Sequence, residues 1–559
     1  MPQTQDSVQK PLSRPRAEQL ILEYQEQLST RRNFESFWQT LHDYFYTESS
    51  DINSTYYPGN ELNASFLWDA TTVDCADVFA SGFMNYLTPP TSKWFRLKHK
   101  DKELSQNKSI NKFLEDVADE VNSALNRSNF YDQMFPAYKS SGVYGTAPIF
   151  AEEDVQDDIR FYVMPLKQVV IVEDSAGRVS KFYIEFEYTA EQAQDKWGND
   201  VLSTELKEEL RSGKGRSKKH KFLLFIGKRY ARDPRKEDKR NLPVEAIWLD
   251  LEAKMTMDES GYNEFPAFCH RFDKRPFIQW GFSPAMKALP FARILNAIAK
   301  TNLRAMMKHT DPPIAVPHNA FIAPFNMNPR AINAYKKTAM DSSKDIFAFG
   351  NYGNPEVGLK SIEYYSNQVK TLMFYDTFLA FSNITKDMNN PEIMERVNEK
   401  MTMLGPAVGR YLDEAISPII ERTVGILARR GKLPDAPPEM LMDPRYEIDF
   451  VGVLAQAQRR TELNTLVTGL TMLGNMAQYS PDVLDKINPD LVTDEVWAIT
   501  GAPIKVLRDD DEVQKIREGR AQQMAQQQQI NQLAAGAQIA KDAGSADAAF
   551  AKSKEKEKE

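Results

Sequence analysis

Two stretches with helical spacing, about 284–308 and 361–379, enclose a segment that opens with the Pro-rich run Asp311 to Pro329. Proline lacks an amide hydrogen and its ring clashes with the preceding turn, so this segment cannot continue either helix. Its apolar pieces are short, Ile346 to Phe349 being an example, and they bury little by themselves. Any fold for this chain must carry a small, thinly cored insert between two helices.

The rest of the 559 residues reads as α+β and predominantly helical. Domains usually hold about 100–200 residues, so two to four structural regions are expected. Periodicity predicts a first helix over 17–48, a second from Asp69 to Leu87 that stops at Pro89-Pro90, and a third over 109–142. Phe182, Ile184, Phe186 and Tyr188 then alternate with Lys181, Tyr183, Glu185 and Glu187, the period of a strand. Val169 to Val172 joins that strand through Glu173-Asp174-Ser175-Ala176-Gly177, a hairpin signal. Further strands are expected at 221–227, 243–250 and 265–272.

Beyond the insert, a polar stretch from Ser382 to Asn390 leads into a long helix over 391–430. Asn390 suits its N-cap, Pro391 its first position and Gly431 its end. Gly405-Pro406 and Pro418 should bend it. Helical patterns follow over 453–505 and from Asp509, the last grading through Gln522 to Gln529 into an Ala/Lys/Glu tail expected to be disordered.

Several classes of chemistry are disfavoured. No apolar run approaches the ~18–20 residues that cross a bilayer, and Met1 to Arg16 lacks a secretory pattern. A soluble protein made in a cytoplasm is expected, with no membrane partner. Cys75 and Cys269 have no metal-binding spacing and cannot form a disulfide framework. There is no phosphate-binding loop, since Gly213-Lys214-Gly215 has the wrong spacing, and no H-E-x-x-H motif. Cys269 and His270 are neighbours, but on a strand their side chains point to opposite faces. Asp509 to Glu512 reads as a cap on the last helix rather than a metal site. We therefore expect no catalytic residues, no cofactor, no metal and no enzyme.

Two basic features stand against a net charge of −8. The segment 211–240 is rich in Lys and Arg and reads as a solvated face or as a docking surface for an acidic partner or DNA. In the helix 284–308, Arg293, Lys300, Arg304 and Lys308 fall in one stripe about 80° wide at 100° per residue. Phe291, Ile294, Ile298 and Ala305 lie roughly opposite that stripe.

Several blocks, in order, resemble the head-to-tail connector (portal) family of short-tailed bacteriophages. Leu67-Trp68-Asp69-Ala70-Thr71 opens a helix that ends at Leu87-Thr88-Pro89-Pro90, followed by Lys93-Trp94-Phe95-Arg96-Leu97. Ser128-Asn129-Phe130 and Gly142-Val143-Tyr144-Gly145-Thr146-Ala147 are similar to the next block, and Asp174 to Val179 to a D-x-x-G-x-V hairpin. The most specific block holds Arg271-Phe272, then Trp280-Gly281-Phe282-Ser283-Pro284 and Leu295-Asn296, with Phe282 where the family usually has Arg. Leu454 to Arg459, Val506-Leu507-Arg508 and Glu512-Val513 complete a resemblance that covers about 60–520.

The resemblance implies a portal fold assembled as a ring, usually of twelve subunits, around a channel for double-stranded DNA. Residues 1–60 would form an N-terminal arm and helix, 61–283 a wing, 284–308 and 361–380 the two stem helices, and 309–360 the clip. Residues 381–391 would be the channel loop, with Asn383, Thr385, Lys386, Asn389 and Asn390 towards the DNA. A long bent wing helix (392–450), a crown (451–520) and a barrel helix or disordered tail (521–559) would follow. The stripe Arg293, Lys300, Arg304 and Lys308 would repeat round the stem as a positive belt. Implied partners are the packaging ATPase (terminase large subunit), a tail adaptor or tail tube, and the major capsid and scaffolding proteins. The place would be the portal vertex of the virion, and the host cytoplasm during assembly. The alternative is another structural virion component, such as a tail adaptor or internal core protein.

Overall fold

The computed structural model describes residues 14–48, 52, 66–213, 217–233, 235–236, 238–312, 314–317, 326, 328, 330–335, 347–348, 355–384, 404–451, 453–477, 488–500 and 512–527. They divide into two compact units. The first holds residues up to 96, 116–434 and 448–455; the second holds 97–115, 435–447 and the chain from 456.

In the first unit, helix α1 (Arg14–Phe45) and helix α2 (Thr71–Leu87) match the sequence expectation closely. Strand β1 (Phe95–His99) follows and carries the chain into the second unit, which keeps it as far as Glu115. The expected helix 109–142 is two helices, α3 (Lys108–Arg127) and α4 (Phe130–Tyr144). The break has a clear cause. Asn129 leaves the helix so that its side-chain amide can accept from Phe161 N and donate to Phe161 O, both at 2.8 Å, fixing the edge of the strand that holds Phe161. Phe130 then packs against Trp94 and Phe161. Periodicity cannot register a single residue leaving one helix to bond a distant strand.

Strands β2 (Thr146–Asp154) and β3 (Asp158–Val163) form a hairpin, and β9 (Ala267–Arg271) adds to the other edge of β2. Before β9 comes a five-stranded antiparallel sheet in chain order, β4 (Val169–Glu173), β5 (Val179–Thr189), β6 (Lys219–Lys228), β7 (Val244–Asp250) and β8 (Met255–Tyr262). The short helices α5 (Ala190–Trp197) and α6 (Thr204–Ser212) lie between β5 and β6. Both faces of this sheet are covered. Leu20, Ile21 and Tyr24 of α1 pack on Tyr183, Leu223, Phe225 and Ile247, while Phe186, Tyr188, Phe222 and Trp248 gather around Trp197 on the other side. Two covered faces explain why β6 reads as an unbroken apolar run, Phe222 to Ile226, instead of alternating.

Helix α7 (Pro284–Thr310) leads to three short strands, β10 (Ile314–Pro317), β11 (Ile332–Tyr335) and β12 (Phe347–Ala348). β10 is central, parallel to β11 and antiparallel to β12. The expected helix 361–379 starts earlier and is broken: α8 (Pro355–Leu372) and α9 (Tyr375–Ile384) flank Phe374, whose φ is +58°. Burial of Met373 and Phe378 on either side holds that turn.

Of the expected helix 391–430, residues 391–403 lie outside the described residues. Helix α10 (404–411), a π turn at Leu412–Ile416 and helix α11 (Ser417–Arg429) account for the remainder. The wide turn sits directly ahead of Pro418, where an α-helical carbonyl four residues back would meet the proline ring. Gly431 ends the helix as expected: its N–H bonds Ala428 O at 3.0 Å, and Lys432 N–H reaches Leu427 O at 3.0 Å.

In the second unit, His99 Nε2 bonds Asp443 O at 3.0 Å and Lys100 N–H bonds Arg445 O. Helix α12 (Pro438–Met442) precedes strand β13 (Tyr446–Phe450). Helices α13 (Val453–Ala477) and α14 (Pro489–Thr500) are followed by helical residues 512–527, which tie back through Arg517 and Asp490 at 2.5 Å. Residues 528–559 lie outside the described residues.

The β2–β3 hairpin is locked to the end of α11 by one acid. Asp158, buried and with φ +69°, accepts from Lys432 at 2.6 Å, Arg430 at 2.8 Å and Arg127 at 3.2 Å. Burial alone would raise its pKa, but the three cations prevail and hold it below the usual carboxylate range. A carboxyl depressed in the folded state stabilises above its ordinary pKa of about 4, and that stability is lost as pH falls through the folded value. We expect wild-type protein to lose stability between about pH 5 and 3 more steeply than Asp158→Asn, read from urea midpoints across that range.

Candidate functional site: the helical hairpin and its seat

The hairpin of α7 and α8 leaves the body of the first unit at a dense joint. Gly281 and Gly145 meet there so closely that a Cβ on Gly281 would lie 2.0 Å from Gly145 O. No other residue type fits. Trp280 is buried edge-on against Trp38, with centroids 4.9 Å apart. Ser283 Oγ donates to Val143 O at 2.7 Å and accepts from Met286 N–H at 3.0 Å, so one hydroxyl both caps α7 and pins it to α4. Phe282 bridges Asp273 through its backbone, and its ring carries the Arg275 guanidinium at 3.9 Å. A cation therefore does stand beside position 282, supplied by residue 275.

Next to this joint sits Arg271, 2% exposed. Its guanidinium pairs with Glu173 and, at 2.5 Å, with Glu414; its own N–H bonds Glu414 at 2.9 Å. Burial would lower its pKa, but Glu414 and Glu173 overcome this and keep it charged. One side chain thus holds together β9, the β4–β5 turn and the π turn. The sequence marks Arg271 by its motif; Glu173 and Glu414 lie 98 and 143 residues away and carry no local signal.

The two helices of the hairpin run antiparallel, Asn302 against Gly358 and Phe291 against Tyr365. A Cβ on Gly358 would lie 2.1 Å from Asn302 Oδ1, so the glycine sets the approach of the helices. Along α7 the buried face is Ala285, Ala288, Leu289, Ala292, Leu295, Ala299 and Asn302. Phe291, Ile294, Ile298 and Ala305, which lie off this face, all retain exposure. Small residues, invisible to a search for bulky ones, make the contact.

The four residues of the basic stripe all lie on α7. Arg293 and Arg304 are exposed, Lys300 and Lys308 half-buried, and Lys300 lies 5.4 Å from the Trp68 ring. Among the described residues none of the four has a carboxylate partner. On either side of the stripe the helix is apolar yet exposed: Ile294 (40%) on one flank, Leu303 (44%) and Met307 (50%) on the other.

Of the expected channel loop, Asn383 falls in the last turn of α9, so the helix runs further than anticipated. Thr385, Lys386, Asn389 and Asn390 lie outside the described residues, as do Asp509 to Asp511. The segment 211–240 is not one patch. Its two ends are separated by the whole of β6, roughly 30 Å at the rise of a strand.

Cys269 and His270 alternate on β9 and both are buried. Burial pushes the thiol up and the imidazole well down, opposite to what a thiolate–imidazolium pair needs. His270 bonds Ser141 at 2.9 Å and stacks on Tyr411, the role of a core residue. Burial likewise pushes the Cys75 thiol up to about 12. Among the described residues no group of three or more His, Cys, Asp or Glu is placed to hold a metal, and no helix is long and apolar enough to cross a membrane.

The distinctive part of the molecule is thus a helical hairpin with a β tip, a charged edge and two uncovered apolar flanks. The chain belongs to the bacteriophage head-to-tail connecting protein family, whose model matches residues 17–507. It is similar to the portal protein of Salmonella phage epsilon15, 28% identical over 532 residues, covering 94% of each chain. It is equally similar, at 28% over 532 residues, to the probable portal protein of Bordetella phage BPP-1, covering 94% of this chain and 95% of that one.

Removing the buried cation should be costly. Arg271→Met leaves Glu414 uncompensated at the joint, while Glu173 keeps Lys274 at 2.8 Å, a loss of about 3–5 kcal/mol. Chemical denaturation should show it, and adding Glu414→Gln to Arg271→Met should recover part of the loss.

Proposed function

We propose that this chain is the portal subunit of its virion: it assembles into a ring around a channel for double-stranded DNA. The observation that carries this reading is the hairpin. Its two apolar flanks on either side of one charged stripe suit an element with a neighbour to left and right. A ring joined head to tail needs two different patches on each subunit, and a flank on each side of α7 supplies them. Family membership and two relatives named as portal proteins support the same reading.

In the ring, of twelve subunits by the family pattern, α7 and α8 are the stem and 309–360 the clip. The stripe Arg293, Lys300, Arg304 and Lys308 forms a positive belt, while a net charge of −8 per subunit keeps most other surfaces from holding phosphates. The clip docks the packaging ATPase (terminase large subunit) and later the tail adaptor or tail tube. Capsid and scaffolding proteins meet the outer ring, and assembly takes place in the host cytoplasm. The work is mechanical and electrostatic, with no catalytic step. Residues 381–391, carrying Asn383, Thr385, Lys386, Asn389 and Asn390, brush the DNA and resist back-slippage.

Purified protein should form rings without nucleotide, metal or DNA. Ile294→Glu with Leu303→Lys should shift it to smaller species in sedimentation velocity while leaving its far-UV circular dichroism unchanged. A wild-type protein that sediments as a monomer at micromolar concentration would refute the ring.

Deleting 384–389 should leave ring assembly intact and impair retention of packaged DNA, with Lys386→Glu acting the same way more mildly. Nuclease protection of DNA in assembled heads checks this; full-length retention by the deletion variant would reduce the segment to a plain turn.

A further inference from the structure

The loop between β6 and β7 departs from the rest of the chain in charge. Residues 228–240 hold seven Lys and Arg against three Asp and Glu, in a protein whose net charge is −8. Two of the cations are structural: Arg229 is buried and pairs with Glu259 at 2.8 Å, and Arg240 approaches the same carboxylate at 3.8 Å. The other five, Lys228, Arg232, Arg235, Lys236 and Lys239, are exposed and have no carboxylate partner among the described residues. Of the three acids, two bond within the loop and the third, Glu237, lies outside the described residues. Asp233 accepts from Arg235 N–H at 3.1 Å, and Asp238 accepts from the Asn241 side chain.

The loop is also built rather than loose. Arg229 donates to Ser260 O at 2.9 Å, and a Cβ on Gly261 would strike Val244 O at 2.6 Å, so the loop base is packed onto β8. The basic segment at the opposite end of β6 behaves differently: Lys221 pairs with Glu185 at 2.6 Å and Lys219 with Glu187 at 3.7 Å across the sheet. There two of the cations are neutralised within the chain; none of the five exposed cations at the β6–β7 tip has a carboxylate partner among the described residues.

We propose that the β6–β7 tip binds the phosphate backbone of duplex DNA, at a site separate from any central bore. A folded protein partner would need an apolar centre to its interface. Among the described residues of this loop Tyr230, 85% exposed, is the one large exposed hydrophobic side chain. Five exposed cations in a loop of net charge +4 (seven Lys and Arg less three Asp and Glu) instead suit a polyanion held by charge and counterion release. The inference rests on the proposed portal function only for the presence of duplex DNA.

The test uses assembled wild-type rings and closed circular duplex DNA, which has no end to thread through a ring. Binding followed by gel shift between 50 and 200 mM salt should weaken steeply with salt. The variant Arg232→Ser, Arg235→Ser, Lys236→Ser, Lys239→Ser should form the same rings but bind the circles at least about tenfold more weakly. Its salt slope should be shallower, by about 0.9 for each phosphate that the variant no longer neutralises. Equal binding by wild type and variant, or no binding of circles by wild type, overturns the proposal. Preferential binding of polyglutamate over the circles also overturns it and assigns the loop to an acidic protein. Binding of circles by rings that admit no linear DNA supports the tip site while rejecting the bore, so the two readings fail separately.

Discussion

Burying a guanidinium is unfavourable unless its charge and its hydrogen bonds are both met, and Arg271 meets that demand with groups from two distant parts of the chain. Glu173 and Gly177 O come from the β4–β5 turn and Glu414 from the π turn. Their common dependence on one cation fixes the sheet and the bent helix relative to β9. The chain reaches α7 within a dozen residues of Arg271, through the Gly281–Gly145 contact and the Ser283 cap. The hairpin's starting direction follows from that sequence of constraints, each of which fails if a neighbour changes size or charge.

Beyond the joint the design is reversed. The body of the first unit has an aromatic core, with Phe79, Phe83, Tyr138, Phe378 and Tyr411 in mutual contact. The hairpin instead packs on alanines, one leucine row and a glycine, and leaves Ile294, Leu303 and Met307 uncovered. A thin core and exposed apolar flanks make poor sense for an isolated subunit. They suit a connector whose stability is completed by neighbouring copies, and the Pro-rich insert at its tip can be small for the same reason.

The places where helices depart from simple periodicity share a physical origin. Asn129 interrupts a helix to bond Phe161, and Phe374 takes a left-handed conformation so that Met373 and Phe378 can both be buried. The π turn before Pro418 presents Glu414 to Arg271 while accommodating the proline. In each case a long-range contact outweighs a local preference, by amounts that a hydrogen bond or a buried side chain readily supplies.

Local chemistry alone determined much of this protein: the α1 and α2 spans, the β4–β5 hairpin, the Gly431 stop, the Ser283 start of α7 and its basic stripe all follow from spacing, capping and turn residues that act within a few positions. The ordered motif blocks carried the family for the same reason, because Trp280-Gly281 and Ser283-Pro284 are adjacent in sequence as well as in space. Only the tertiary structure decided where helices break, which face of α7 is buried, that Glu173 and Glu414 serve Arg271, and that the basic segment 211–240 is two regions at opposite ends of β6. Those outcomes depend on residues tens to hundreds of positions apart, and no periodicity in a single chain records which distant side chain completes a buried charge.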